Sequence, residues 1–292
     1  MADKSTRAFS RVSRANMVTT VQVVCVAIVA LVILSPLIML FVASLKDDRY
    51  QILAEMGSVS AFWVEKPSLN NFFEVLSPSS GLSLGRYMIN STIILAGTVL
   101  GTIAISSSLA FVLAWGSIPG RSLILGFFIL LYIIPQETIL LPLLVIVRSM
   151  GLMDGFLAQI LPFVANPLFV FLFYQFFTQV PKDLVEAARM DGASFFTIYR
   201  SIFLPISTPA IAACAILSGI ESWNSYLWPL LVTQTDTARP ISIAIAGFLG
   251  TDFIQWDKAL AASVLMMIPV LVLYVLFQRW FMSSFIGSAV KG

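Results

Sequence analysis

Glu137 and Glu221 are carboxylates set inside long apolar runs, and they mark where this sequence could do chemistry. A charged group at the centre of a bilayer costs roughly 2.5 to 3.5 kcal/mol on insertion scales, so each needs a reason to be there. Around Glu221 the stretch ESWNSYLWP supplies Trp223, Asn224, Tyr226 and Trp228. On a continuous helix Glu221, Asn224 and Trp228 fall at i, i+3 and i+7, one face, with Trp223 and Tyr226 as an adjacent pair. Flat aromatic faces beside hydrogen-bonding groups suit a sugar ring, which has apolar C–H faces and a polar rim. The competing reading is an aromatic belt at the outer interface, with Glu221 holding helices together. Pro135, Gln136 and Glu137 form a second such place. A proline frees a backbone carbonyl inside a span, which is tolerable where neighbours or pore water satisfy it. Here the competing reading is a packing kink.

Other chemistry is thinly represented. The chain has no histidine, which removes the usual general base and the commonest transition-metal ligand. Cys25 and Cys214 both fall in apolar runs, suggesting neither a disulfide framework nor a metal site. The piece GSIPGRS, from Gly116, has glycines too close together for a phosphate loop and lacks its lysine. No basic, aromatic-interleaved patch points to nucleic acid, and the net charge is only +2.

At 292 residues, 59% hydrophobic and 11% charged, the chain supplies several runs of the twenty or so apolar residues a bilayer crossing needs. The predicted class is an all-α membrane protein with six spans. Residues 1–20 form a basic cytoplasmic segment carrying Lys4, Arg7, Arg11 and Arg14, read as a retained anchor. Residues 21–281 hold the spans: Val21 to Ser44, Tyr87 to Trp115, Leu123 to Val147, Phe156 to Phe177, Pro209 to Val232 and Ala259 to Phe281. Residues 282–292 are a cytoplasmic tail. A GxxxG pair, Gly97 and Gly101, could admit a close helix neighbour or simply reflect membrane composition. Charge supports this topology, since the inner segments hold ten bases against four acids and the outer ones seven against nine. Glu137 lies 14 residues past Leu123 and Glu221 lies 12 past Pro209. On straight helices that is roughly 21 and 18 Å into a core of about 30 Å, a depth where transport sites occur.

Between the fourth and fifth spans lies a charged insert, EAARMDGASFFTIYRSIFLP, within a loop over residues 178–208. Pro181 and Asp183 suit a helix start, and Asp191-Gly192 suits its end, because glycine accepts the left-handed backbone of a C-terminal cap. Ser194 is the expected N-cap of a second helix reaching Phe203, ended by Pro205. These residues resemble the permease subunits of binding-protein-dependent ABC importers. Their cytoplasmic motif reads EAA, three residues, glycine, nine residues, then I-x-L-P. Glu186, Ala187, Ala188, Gly192, Ile202, Leu204 and Pro205 fill every position. The Trp223-Asn224 pair, Gln278-Arg279 and the ending Val290-Lys291-Gly292 resemble the carbohydrate-uptake branch, in particular its maltose-permease G-subunit type.

The resemblance implies a type I importer permease fold in a bacterial inner membrane, with both termini cytoplasmic and no enzyme activity of its own. It implies ATP and magnesium bound by two copies of a partner ATPase, a second permease that is a paralogue of this chain, and a periplasmic or extracellular solute-binding protein. Glu186 becomes the polar contact to the ATPase. Ala187 and Ala188 allow close packing, Gly192 sets the hairpin angle, and Asp191 belongs to the same coupling surface. The tail would approach the ATPase pair. A sugar or oligosaccharide is the expected cargo. A polyol, glycerol phosphate, amino acid or peptide is the same-class alternative, and an ion-coupled transporter or a membrane hydrolase the different-class ones.

Overall fold

The computed structural model describes the backbone of residues 2–77, 84–250 and 254–289, and side chains from Thr19 to Gln278 within those stretches. Helices account for the regular structure there: α1 (Ala2–Ser44), α2 (Arg49–Glu55), α3 (Asn70–Leu76), α4 (Leu84–Trp115), α5 (Arg121–Ile133), α6 (Gln136–Ser149), α7 (Phe156–Ile160), α8 (Pro167–Phe177), α9 (Lys182–Met190), α10 (Phe195–Ile198), α11 (Leu204–Ile206), α12 (Thr208–Asn224), α13 (Leu227–Val232), α14 (Ile241–Leu249) and α15 (Trp256–Ala289). Among the described residues, three stretches are long and apolar enough to cross a membrane: Thr19–Ser44, Leu84–Trp115 and Trp256–Gln278. Three bent pairs bring the number to six if each is one crossing: α5 with α6, Phe156–Phe163 with α8, and Phe195–Ile206 with α12.

The chain divides into two compact units, Met1–Glu74 with Gln255–Val264, and Val75–Ile254 with Leu265–Gly292. In the first, the apolar side chains along α1 are exposed, with Val26 at 68% and Ile33 at 67%. That surface suits lipid, not water. The last carbonyl of α1 is satisfied by Asn71, whose Nδ2 donates to Ser44 O at 3.1 Å and, just beyond the helix, to Lys46 O at 2.9 Å. Lys46 is buried, pairs with Glu55 and donates to Ser60 O at 3.1 Å. The polar segment after the first span is therefore folded onto the helix end.

In the second unit α4 is the central post, packed against α8 and α12. Its glycine pair explains one close approach. A Cβ on Gly97 would stand 2.6 Å from Ile160 Cδ1, and one on Gly101 2.6 Å from Val164 Cγ1. The GxxxG face is thus filled from within the chain. Gly219 gives α12 the same freedom against Leu273 of α15 and Val99 of α4.

Several expected elements differ. Residues 123–147 are not one straight span, because the chain bends by 100° between α5 and α6 at Ile134-Pro135. The depth computed for Glu137 along a straight helix does not hold. The expected outer loop Thr233 to Lys258 contains α14, whose sequence ISIAIAGFL is apolar enough to pack on α4. The helical hairpin extends past Pro205 to Ile206, and the chain turns by 76° at Ser207. Residues 282–289 of the expected tail continue α15, while Val290, Lys291 and Gly292 lie outside the described residues.

Candidate functional site: a docked hairpin and a polar cavity

The hairpin is built as its turn chemistry requires. Lys182 opens α9, one residue after Pro181, with Asp183 in its first turn and Arg189 in its last, both favourable to the helix dipole. Gly192 has φ of +79°, and two bonds close the helix end: Ala193 N–H to Ala188 O and Gly192 N–H to Arg189 O, each 3.0 Å. This is the Schellman arrangement, and a left-handed residue is obligatory in it. Asp191 caps α9. Ser194 Oγ accepts from Thr197 N–H at 3.1 Å and starts the second helix. That helix is not regular: Tyr199–Phe203 forms a π-turn directly before Pro205. A proline ring clashes with the carbonyl four residues back, and a widened turn relieves it.

One side of the hairpin is fixed to the span helices. Val185, Ile198, Tyr199 and Phe203 are buried, and Ala188, Ile202 and Leu204 pack beside them. Phe111 of α4 sits among Phe195, Tyr199 and Phe203 at ring-centroid distances of 4.5, 5.2 and 4.8 Å. Tyr199 Oη hydrogen-bonds Ser107 Oγ at 2.6 Å, and Ser108 Oγ donates to it at 3.2 Å. Trp115 Nε1 donates to Phe177 O at 2.9 Å. The other side is open: Glu186, Ala187, Asp191 and Gly192 are exposed. Leu184, Phe196 and Met190 are exposed with them, Met190 at 85%. Large apolar side chains left uncovered on a charged element are a contact surface.

The second place is a cavity of about 160 Å³ between α4, α6, α7, α8, α12 and α13. Of the candidate pathway residues, Gln136, Glu221 and Trp228 line it. Glu137, Trp223, Asn224 and Tyr226 are not among its lining residues. Glu137 is exposed in the first turn of α6, where its charge complements the helix dipole. Asn224 and Tyr226 are exposed on the chain around the end of α12. Trp223 is buried, with Nε1 donating to Met266 O of α15 at 2.9 Å, so its role is to join two helices.

The single face of Glu221, Asn224 and Trp228 does not exist, because α12 ends at Asn224 and Trp228 belongs to α13. Pro229 explains the break: in a continuous helix its ring would meet the carbonyl of Ser225. Ser225 is extended instead, and its carbonyl accepts from Ser242 Oγ at 2.7 Å. Trp228 is buried, donates from Nε1 to Ala158 O at 2.9 Å, and stacks edge-on with Phe163 at 5.8 Å.

Sequence reading missed several cavity residues: Thr98, Gln159, Asn166, Ser218 and Ser222. A polar residue inside an apolar run is the signal they carry, and none of the five lies beside residues 135–137 or in the stretch 221–228 except Ser222. Around the cavity, the segment 233–240 is held by Asp154, whose Oδ1 accepts from Thr235 N–H at 2.8 Å and from Gln234 N–H. Those amides keep the Asp154 carboxyl below its ordinary range, the Thr235 bond most strongly. Asn90 Nδ2 adds bonds to Thr237 O at 3.2 Å and Arg239 O at 2.9 Å.

Residues 102–286 match the family described as the binding-protein-dependent transport system inner membrane component. The chain is 32% identical to an arabinooligosaccharides transport system permease protein of Halalkalibacterium halodurans, over 91% of this chain and 94% of that one. It is 30% identical to an sn-glycerol-3-phosphate transport system permease protein of Yersinia pestis, over 88% and 92%. Its fold superposes with a TM-score of 0.75 on a chain of a bacterial ABC transporter involved in the import of the acidic polysaccharide alginate, at 21% identity, covering 91% of this chain and 97% of that one.

Proposed function

This chain belongs to the inner membrane components of binding-protein-dependent transport systems, and from that membership we propose that it is the permease subunit of an ATP-driven importer of a sugar or oligosaccharide. The observation that carries the reading is the hairpin from Lys182 to Ile206, clamped to α4 on one side and bare on the other. The bare side, with Glu186, Ala187, Leu184 and Met190, receives a cytoplasmic ATPase that binds ATP and magnesium. Two copies of that ATPase, a second permease and a solute-binding protein on the outer face complete the assembly. Both termini are on the cytoplasmic side.

The geometry supports a mechanical role for the hairpin. Movement of the ATPase is passed through Glu186 and the α9 surface to Tyr199 and Phe203, and from these to Phe111 of α4. The same α4 carries Thr98 in the cavity wall, so displacement at the hairpin reaches the cavity through one continuous helix. At about 160 Å³ the cavity is smaller than the roughly 300 to 1,000 Å³ of complete ligand pockets. It fits the role of one wall of a pathway shared with the second permease.

The test is to tag this chain, purify it in nanodiscs and identify what accompanies it. ATP hydrolysis is then assayed with co-purifying or co-encoded binding proteins and a panel of sugars. A stoichiometric ATPase, stimulated by one loaded binding protein, is the expected result. A chain that purifies alone and moves solute without ATP would overturn the reading.

A further inference from the structure

The cavity's chemistry separates two classes of cargo that the family includes. Of the charged side chains among the described residues, Glu221 alone lines it, and no lysine or arginine does. The rest of the polar lining is hydroxyl and carboxamide: Thr98, Ser222 and Asn166 are examples. Gln159 is the informative one. It is 3% exposed, and its Nε2 donates to Ala238 O at 2.7 Å, which fixes the orientation of the carboxamide. Its Oε1 is buried and has no partner. A buried acceptor left unpaired costs free energy, about as much as a lost hydrogen bond, and a solute hydroxyl would recover it once the cavity widens enough to reach it. Phe163 and Trp228 supply an apolar wall, and the Trp228 N–H is already committed to Ala158 O.

Resting on the reading above, we propose that this cavity passes uncharged polyhydroxylated solutes, with Gln159 Oε1 accepting a hydrogen bond from a solute hydroxyl, and that it rejects anions. An anionic solute would meet Glu221 with no cation among this chain's described lining residues to offset it, and bringing like charges together in a partly dehydrated site is unfavourable. A neutral sugar presents hydroxyl donors and C–H faces instead. The chain thus differs in cargo chemistry from a glycerol-phosphate or uronate carrier, whatever fold it shares with them.

The experiment uses the complete importer complex in nanodiscs. Ser222, in the cavity wall, is replaced in a Ser222→Cys variant, with exposed Cys25 changed to serine and fully buried Cys214 retained. The rate of maleimide labelling is measured with two matched pairs of probes: galactose against galacturonate, and galactobiose against digalacturonate. The expected result is that the neutral members slow labelling while the acids leave it unchanged. In a second arm, Gln159→Met, close to the original in shape, raises the galactobiose concentration for half-protection about tenfold. Protection by the acids equal to or better than that by the sugars would overturn the proposal, as would no protection by any probe. If Gln159→Met fails to assemble, the paired probes on the glutamine-containing complex decide alone. Failure of the importer reading would show separately, as absence of a co-purifying ATPase.

Discussion

Gly192 and Asp154 each hold a turn, by different means. A Cβ at Gly192 would meet nothing within 4 Å, so substitution there costs only backbone strain at a φ of +79°. That strain is about 1 to 2 kcal/mol for an ordinary residue, less for asparagine and most for a β-branched one. Uptake is therefore expected to fall in the order Gly192→Asn, Gly192→Ala, Gly192→Val, with the valine variant near zero and membrane insertion unchanged. Transport assays beside quantitation of the membrane fraction check this, and normal uptake by Gly192→Val would dissociate the turn from coupling. Asp154 works through charge: its carboxyl is depressed by amide donors, so its contribution is complete above the unfolded value near pH 4 and is lost as pH falls through the lower folded value. Hydrogen exchange at Gln234 and Thr235, corrected for intrinsic rates, should lose protection on such acidification. In Asp154→Ala it should be lost at neutral pH as well.

Among the elements, α4 does the most, receiving α8 and α12 along its length and the hairpin at its far end. Leucine at Gly101 would drive into Val164 and is expected to cost about 1 to 3 kcal/mol through overpacking. Gly126→Ala is its control, since a Cβ there meets nothing and alanine favours helix. Melting in detergent should fall for the first variant and hold or rise for the second. At the other end, Tyr199→Phe removes the hydroxyl shared with Ser107 and Ser108 while keeping the ring against Phe111. The expected outcome is uncoupling, with uptake reduced several-fold while ATP hydrolysis persists. Equal loss of both activities would mean that the hydroxyl serves folding alone.

Over the whole molecule, the three long apolar helices and the hairpin were legible because each is written in a short-range code. Apolar run length marks a crossing, and glycine after an acidic cap marks a turn. What was not legible depends on how helices break. Pro229 forbids a continuous helix through Ser225, and ignoring that constraint placed Glu221, Asn224 and Trp228 on one face. Gln159 escaped notice because its orphaned oxygen is a product of packing: only the folded chain brings Ala238 to its other end. Trp223 and Trp228 look alike in sequence, yet one joins α12 to α15 and the other walls the cavity.

The aromatic seat of the hairpin bears on modular exchange. Residues 178–208 look like a portable cassette that could be swapped to redirect a permease to a foreign motor, but half of their footing lies elsewhere in the chain. Phe111, Ser107 and Trp115 come from α4 and Phe177 from α8, and they contact one another and Phe195, Tyr199 and Phe203 directly. A chimera built by transplanting the loop alone would set a new handle in an old socket. Its natural boundary instead encloses the C-terminal third of α4 and the end of α8.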